Sequence, residues 1–235
     1  MSTLVSNEFD WDAEIILRAV YEANANMLLL TLSEESEQES LIEEFWEIIP
    51  IALDKRRARK AKIAEGGFPE GHPSRDVFRL LYDERMQHSP RKMSRKERQL
   101  IDQSWSFSEI LNRLQKISNK NKKDGDFLTF LHMYGMASHL AHADHAAMDL
   151  LLDRALRSED ELMILQSAYI SRITSDIISL ALFSSIEAHP LVGGDVSYIN
   201  DMNICFSRHM ALCDPINDLF NKSQEAFYRE MDTQV

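Results

Sequence analysis

The chain has 235 residues, 44% of them hydrophobic and 27% charged, with a net charge of −12. That composition is too apolar for a disordered chain and is large enough to bury a substantial core as one domain, 1–235. Glycine and proline are scarce, strand-type alternation is absent, and apolar residues recur at intervals of three and four, so the class expected is all-α.

The first residues lack a basic region followed by an apolar one, and the longest apolar run, 177–183 around Ser179, is far short of a membrane span. Cys205 and Cys213 lie about 12 Å apart along one expected helix, too far to bridge each other. A soluble, cytoplasmic protein with reduced thiols and no membrane partner is the expectation. The charge is unevenly distributed: 19 of the 26 Lys and Arg fall within 55–123, against 8 of the 38 Asp and Glu. That middle third can complement the acidic remainder, or it can follow a phosphate backbone that the net charge would otherwise repel.

In chain order, 9–32 carries apolar residues at helical spacing and ends in the acidic SEESEQES. Ser36 with Glu39, or Ser40 with Glu43, has capping-box spacing for a second helix, which Pro50 should kink. These two helices, 1–63, form an N-terminal pair with a basic end. Lys55, Arg56, Arg57, Arg59, Lys60 and Lys62 place six cations in eight residues, more than the negative end of a helix dipole needs, and they are the candidate nucleic-acid contacts. The segment 64–126 reads as a basic connector with short helices. It contains a loop at 66–73 that is no phosphate cradle, a helix over 74–88, and two short helices started by capping boxes at Ser94–Glu97 and Ser106–Glu109.

The remainder, 127–235, opens on the stretch expected to be central. From 127 to 157 the spacing predicts one helix, with Tyr134, Ser138, His142, His145, Asp149 and Asp153 on one side. No Lys, Glu or Arg occurs from 127 to 152, so that side is expected to be covered by neighbours. Ser158 with Glu161 caps the next helix, 159–188, and 196–213 is helical. Asp214-Pro215 reads as a cap followed by proline at the first position of a last helix, 216–231. The expected fold is a single bundle of about seven or eight helices around the histidine-rich helix 127–157, with Trp11, Trp46 and Trp105 in the core.

SWSFSEILNRL at 104–114 followed by YGMASHLAHAD at 134–144 resembles the W-S then Y-x-x-x-S-x-x-x-H pattern of an uncharacterised bacterial all-helical family, domain of unknown function 5677. The resemblance marks Tyr134, Ser138 and His142 as the matched positions and implies no settled activity. The same stretch is more distantly similar to HEPN helical ribonucleases and defence toxins, which place an Arg four to six residues before a His near a cleft. No arginine here has that spacing, so the usual catalytic pair of that class is missing from the linear sequence.

Three uses of the histidine helix follow. Tyr134, Ser138, His142 and His145 can do acid–base work on a phosphodiester, which with the basic middle third makes an RNA-directed protein in a stress or defence setting the leading expectation. His142, His145 and Asp149, read on one face, can hold a divalent metal with a ligand from a neighbouring helix; otherwise no cofactor is expected. The third use is a non-catalytic polar seam, at a homodimer interface in one version, where histidine protonation would make association pH-dependent.

Overall fold

The computed structural model describes residues 10–83, 93–120, 127–189, 193–195 and 197–232, and every regular element among them is helical. The helices are α1 (Asp10–Leu32), α2 (Glu35–Glu43), α3 (Ile49–Gly66), α4 (Pro73–Tyr82), α5 (Arg95–Ser104), α6 (Phe107–Lys120), α7 (Thr129–His142), α8 (His145–Ala155), α9 (Glu159–Ala188) and α10 (Ile199–Asp232). They pack as two compact units, Met1–Leu32 with Leu111–Val235, and Ser33–Ile110.

In the first unit α1 is the element the others pack on: it lies against α9 and α7, and α9 in turn carries α10. Ala13, Leu17, Tyr21, Ala25 and Leu28 recur every three or four residues along α1 and are buried. Burying one such leucine contributes about 1.5–3 kcal/mol. Tyr21 meets Phe130 of α7 with ring centroids 5.7 Å apart, and Phe127 meets Phe183 of α9 at 5.5 Å. By length and composition Trp11–Leu32 could cross a membrane. In this fold its polar residues Glu14, Arg18 and Glu22 instead meet side chains of α7 and α9.

The expected central helix 127–157 is therefore corrected in two ways. It is broken: Ala143 adopts a left-handed conformation, φ 48°, and Asp144 starts a new helix by accepting hydrogen bonds from the Ala146 and Ala147 amides at 3.1 and 3.3 Å. It is also not the core: only Ala137 on α7 and Ala147 on α8 are buried, most of α7 being half-buried and most of α8 exposed. The expected coverage holds in part: Tyr134 and Ser138 are half-buried and Tyr134 meets α1, whereas His142, His145 and Asp149 are exposed.

Two capping boxes form as read, at Ser94–Glu97 and Ser158–Glu161. Asp214-Pro215 does not start a helix, because α10 runs through Pro215 without interruption. The loss of one backbone bond there is absorbed by a helix of 34 residues.

In the second unit the residue before α2 is Glu34, and the Ser36–Glu39 and Ser40–Glu43 pairs lie within the helix or at its end. The irregularity expected at Pro50 is a π-helical turn, Glu44–Ile48, immediately ahead of it. Proline has no amide to donate, and a wider turn gives its ring room. Trp105 donates Nε1–H to Glu44 Oε2 at 2.9 Å and packs on Phe45, whereas Trp46, expected in the core, is 63% exposed. Of the helix expected over 74–88, α4 accounts for the part up to Tyr82; residues 84–88 lie outside those described.

α3 and α4 are joined through one buried carboxylate. Glu65 Oε1 accepts from Arg75 Nη2 at 3.2 Å and from Arg79 Nε at 2.9 Å, and Oε2 accepts from the Tyr82 hydroxyl at 2.6 Å. The Tyr82 hydrogen bond, then those of the two arginines, hold the Glu65 carboxyl below the usual carboxylate range. A carboxyl depressed by folding contributes stability that is complete above its unfolded pKa and is lost as pH falls through its lower folded value. An NMR titration should therefore find Glu65 protonating below the ordinary carboxylates, with the amides of α3 and α4 shifting in the same step. Glu65→Gln should show the shifted amides already at neutral pH.

Candidate functional site

α1 sets out Glu14, Arg18 and Glu22 at intervals of one turn, so all three lie on one face. Each is taken up by the first unit's other helices. Glu14, with no exposed surface, forms an ion pair with Arg172 of α9. Arg172 Nη1 also donates to Asp176 Oδ2 at 3.1 Å, and the buried Tyr21 hydroxyl lies close enough to Asp176 to influence its carboxyl. Burial raises the Asp176 carboxyl above its usual range, against the lowering effects of Tyr21 and Arg172. It also lowers the Arg172 guanidinium, against the raising effect of Asp176.

One turn further on, α1 meets α7. The Tyr134 hydroxyl donates to Glu22 Oε1 at 2.6 Å and accepts from Arg18 Nε at 3.1 Å. The Arg18 guanidinium lies 5.0 Å from the centre of the Tyr134 ring, and its Nη1 is 3.5 Å from His142 Nε2. Burial, and then the hydrogen bond to Glu22, raise the Tyr134 hydroxyl. The arrangement holds a partly exposed guanidinium against an exposed imidazole, braced from behind by a tyrosine and a glutamate.

A third cluster joins α9 to α10. His209 Nε2 lies 3.0 Å from Ser175 Oγ and 3.3 Å from the buried Cys213 Sγ. The other cysteine, Cys205, is exposed, and both are free thiols. Ser175 also donates to the Ser171 carbonyl at 2.8 Å, so this hydroxyl is occupied by the backbone of its own helix. Beside it opens a cavity of about 570 Å³ walled by α7, α9 and α10.

The sequence-derived candidates divide accordingly. Tyr134 and His142 meet at Arg18, and Ser138 lies between them on α7, half-buried. His145 is separated from them by the break at Ala143; its side chain is 92% exposed and its Nδ1 is 3.0 Å from Asp149 on α8. The shared face assumed for a metal set of His142, His145 and Asp149 thus does not exist. Among the described residues no three His, Cys, Asp or Glu side chains are grouped to hold a metal ion.

The six cations all lie on α3, where the helical turn puts Lys55, Arg59 and Lys62 on one stripe. Arg56 pairs with Asp102, Arg57 Nη1 is 3.9 Å from Asp54, and Lys62 Nζ lies 5.1 Å from the centre of the Tyr82 ring. Arg59 and Lys60 are exposed. Sequence reasoning missed Arg18, Glu22, Glu14, Arg172 and Asp176. The one available signal was three charged residues one turn apart among the apolar residues of α1, beyond the Asp10 and Asp12 of its first turn.

These features define an all-helical protein with a charged seam along its first helix. A family model described as a family of unknown function, DUF5677, matches residues 1–161, and the chain belongs to that family. Arg18, Glu22, Tyr134 and His142 lie inside the matched segment, whereas Arg172, Asp176 and the α10 wall of the cavity lie beyond it. No curated protein and no solved structure matches the chain.

Proposed function

We propose that the protein acts on RNA, with Arg18 and His142 as the groups that meet the phosphodiester. The observation supporting this reading is the 3.5 Å approach of Arg18 Nη1 to His142 Nε2 across 124 residues of chain. It provides by tertiary packing an arginine–histidine pair that no local motif contains. A guanidinium balances charge on phosphate oxygens, and an imidazole exchanges protons near neutral pH. His142 takes the proton from a ribose 2′-hydroxyl as that oxygen attacks phosphorus, and the protonated imidazole returns it to the departing 5′-oxygen. Tyr134 and Glu22 position Arg18. The α3 stripe of Lys55, Arg59 and Lys62 supplies a further phosphate-binding surface on a chain of net charge −12.

The test is labelled single-stranded RNA titrated with the full chain over a range of salt, with products resolved on a denaturing gel. Affinity should fall linearly with salt on logarithmic axes, since each phosphate contact releases a counterion. His142→Ala should reduce cleavage by about 100-fold or more while retaining binding. Arg18→Ala should weaken both. RNA that fails to bind at low salt overturns the reading.

A further inference from the structure

The cavity between α7, α9 and α10 is independent of the Arg18–His142 pair, and its walls have a chemistry of their own. Met133 and Met136 on α7, with Met210 and Phe220 on α10, give it an apolar lining. Three thioethers and a ring are polarizable and adaptable, and they suit the faces of a flat, unsaturated ligand. Asn217 and Asn221, one turn apart on α10, also line it. Each carboxamide offers a donor beside an acceptor, the pattern that pairs edge-on with a nucleobase.

Two further observations narrow the ligand. Arg172 also lines the cavity, but Glu14 and Asp176 already meet its charge, so it is no anchor for an anion. The volume, about 570 Å³, is within the range that encloses a small organic molecule.

We infer that this cavity binds a neutral, flat heterocycle of the nucleobase or nucleoside class, its faces against the methionines and Phe220 and its polar edge toward Asn217 and Asn221. The experiment is isothermal titration of the full chain, without RNA, against adenosine, cytidine, guanosine and uridine, with benzamide and benzoate as a neutral and anionic pair. Saturable binding of at least one nucleoside at one per chain is expected. It should weaken tenfold or more in Asn217→Leu/Asn221→Leu, whose melting should match the parent because both positions are at least partly exposed. Benzamide should bind more tightly than benzoate. Absence of binding by all four nucleosides at millimolar concentration, unchanged affinity in the double variant, or a preference for benzoate would each overturn the inference.

Discussion

Glu14→Leu is expected to lower the stability of the α1-centred unit by about 3–5 kcal/mol, because it strands the Arg172 guanidinium in the core. For a chain of this size that is a fall of roughly 10 °C or more in the thermal midpoint. The carboxylate removed has no exposed surface, and the Arg172 side chain is only 22% exposed, so water cannot replace the lost partner. Asp176 remains, but burial favours its protonated form, which makes it the weaker counterion.

Asp176→Asn should accordingly be mild. An amide oxygen still accepts from Arg172, and Glu14 still carries the opposing charge. The pH dependence separates the two carboxylates. A carboxyl raised by folding contributes stability that is complete below its unfolded pKa and is lost as pH rises through the raised folded value. Wild type should decline across that window and Asp176→Asn should not. Glu14→Leu combined with Arg172→Met should recover most of the loss, since a packed apolar pair can replace a buried ion pair at little cost. Calorimetry of the four proteins decides the matter, and a Glu14→Leu variant that melts with wild type would show that the pair does not stabilise the fold.

How far this arrangement was legible depends on the range of the interactions involved. Ser94–Glu97 and Ser158–Glu161 could be read because both hydrogen bonds of each box close within three residues. The all-helical class could be read because periodicity is a local property. The break at Ala143 was less visible: the alanines on either side continue the helical spacing, and the stop resides in Asp144. That aspartate caps α8 with Oδ1 while Oδ2 sits 2.6 Å from His139 Nδ1. An Asp followed by amides two and three residues on is a readable N-cap, but it competed with an unbroken apolar pattern.

The position of α1 at the centre, and the pairing of Arg18 with His142, were not legible. Both depend on which helix packs against which, and a search for an arginine close to the histidine in sequence looks in the wrong place. Even so, an Arg and two Glu at successive turns among the apolar residues of a helix need partners, and that need is visible in the sequence before the partners are.

Arg157→Met should loosen α10 while leaving most of α1 and α9 in place. The Arg157 side chain is 1% exposed and sits at the corner where α8 gives way to α9. Its guanidinium grips Asp153 with two hydrogen bonds, 2.9 and 3.1 Å, and reaches Gln224 of α10 at 2.8 Å. Methionine keeps the apolar stem but removes every donor, so the expected loss is about 2–3 kcal/mol from charged hydrogen bonds that nothing replaces. Lysine should not rescue it, because a single ammonium cannot reproduce the planar fork that holds both carboxylate oxygens and the Gln224 amide. Gln224→Ala, which removes only the link to α10, should cost about 1 kcal/mol.

Hydrogen exchange across α10 provides the decisive measurement. Gln224 follows Asn217 and Asn221 by two turns and one turn, so protection in Arg157→Met should fall along the cavity wall as well as near Gln224. Nucleoside affinity, where it is found, should weaken in the same variant although Arg157 is not among the residues lining the cavity. If α10 exchanges as slowly as in the parent, Arg157 only braces the corner between α8 and α9, and the cavity wall is held by packing on α9 alone.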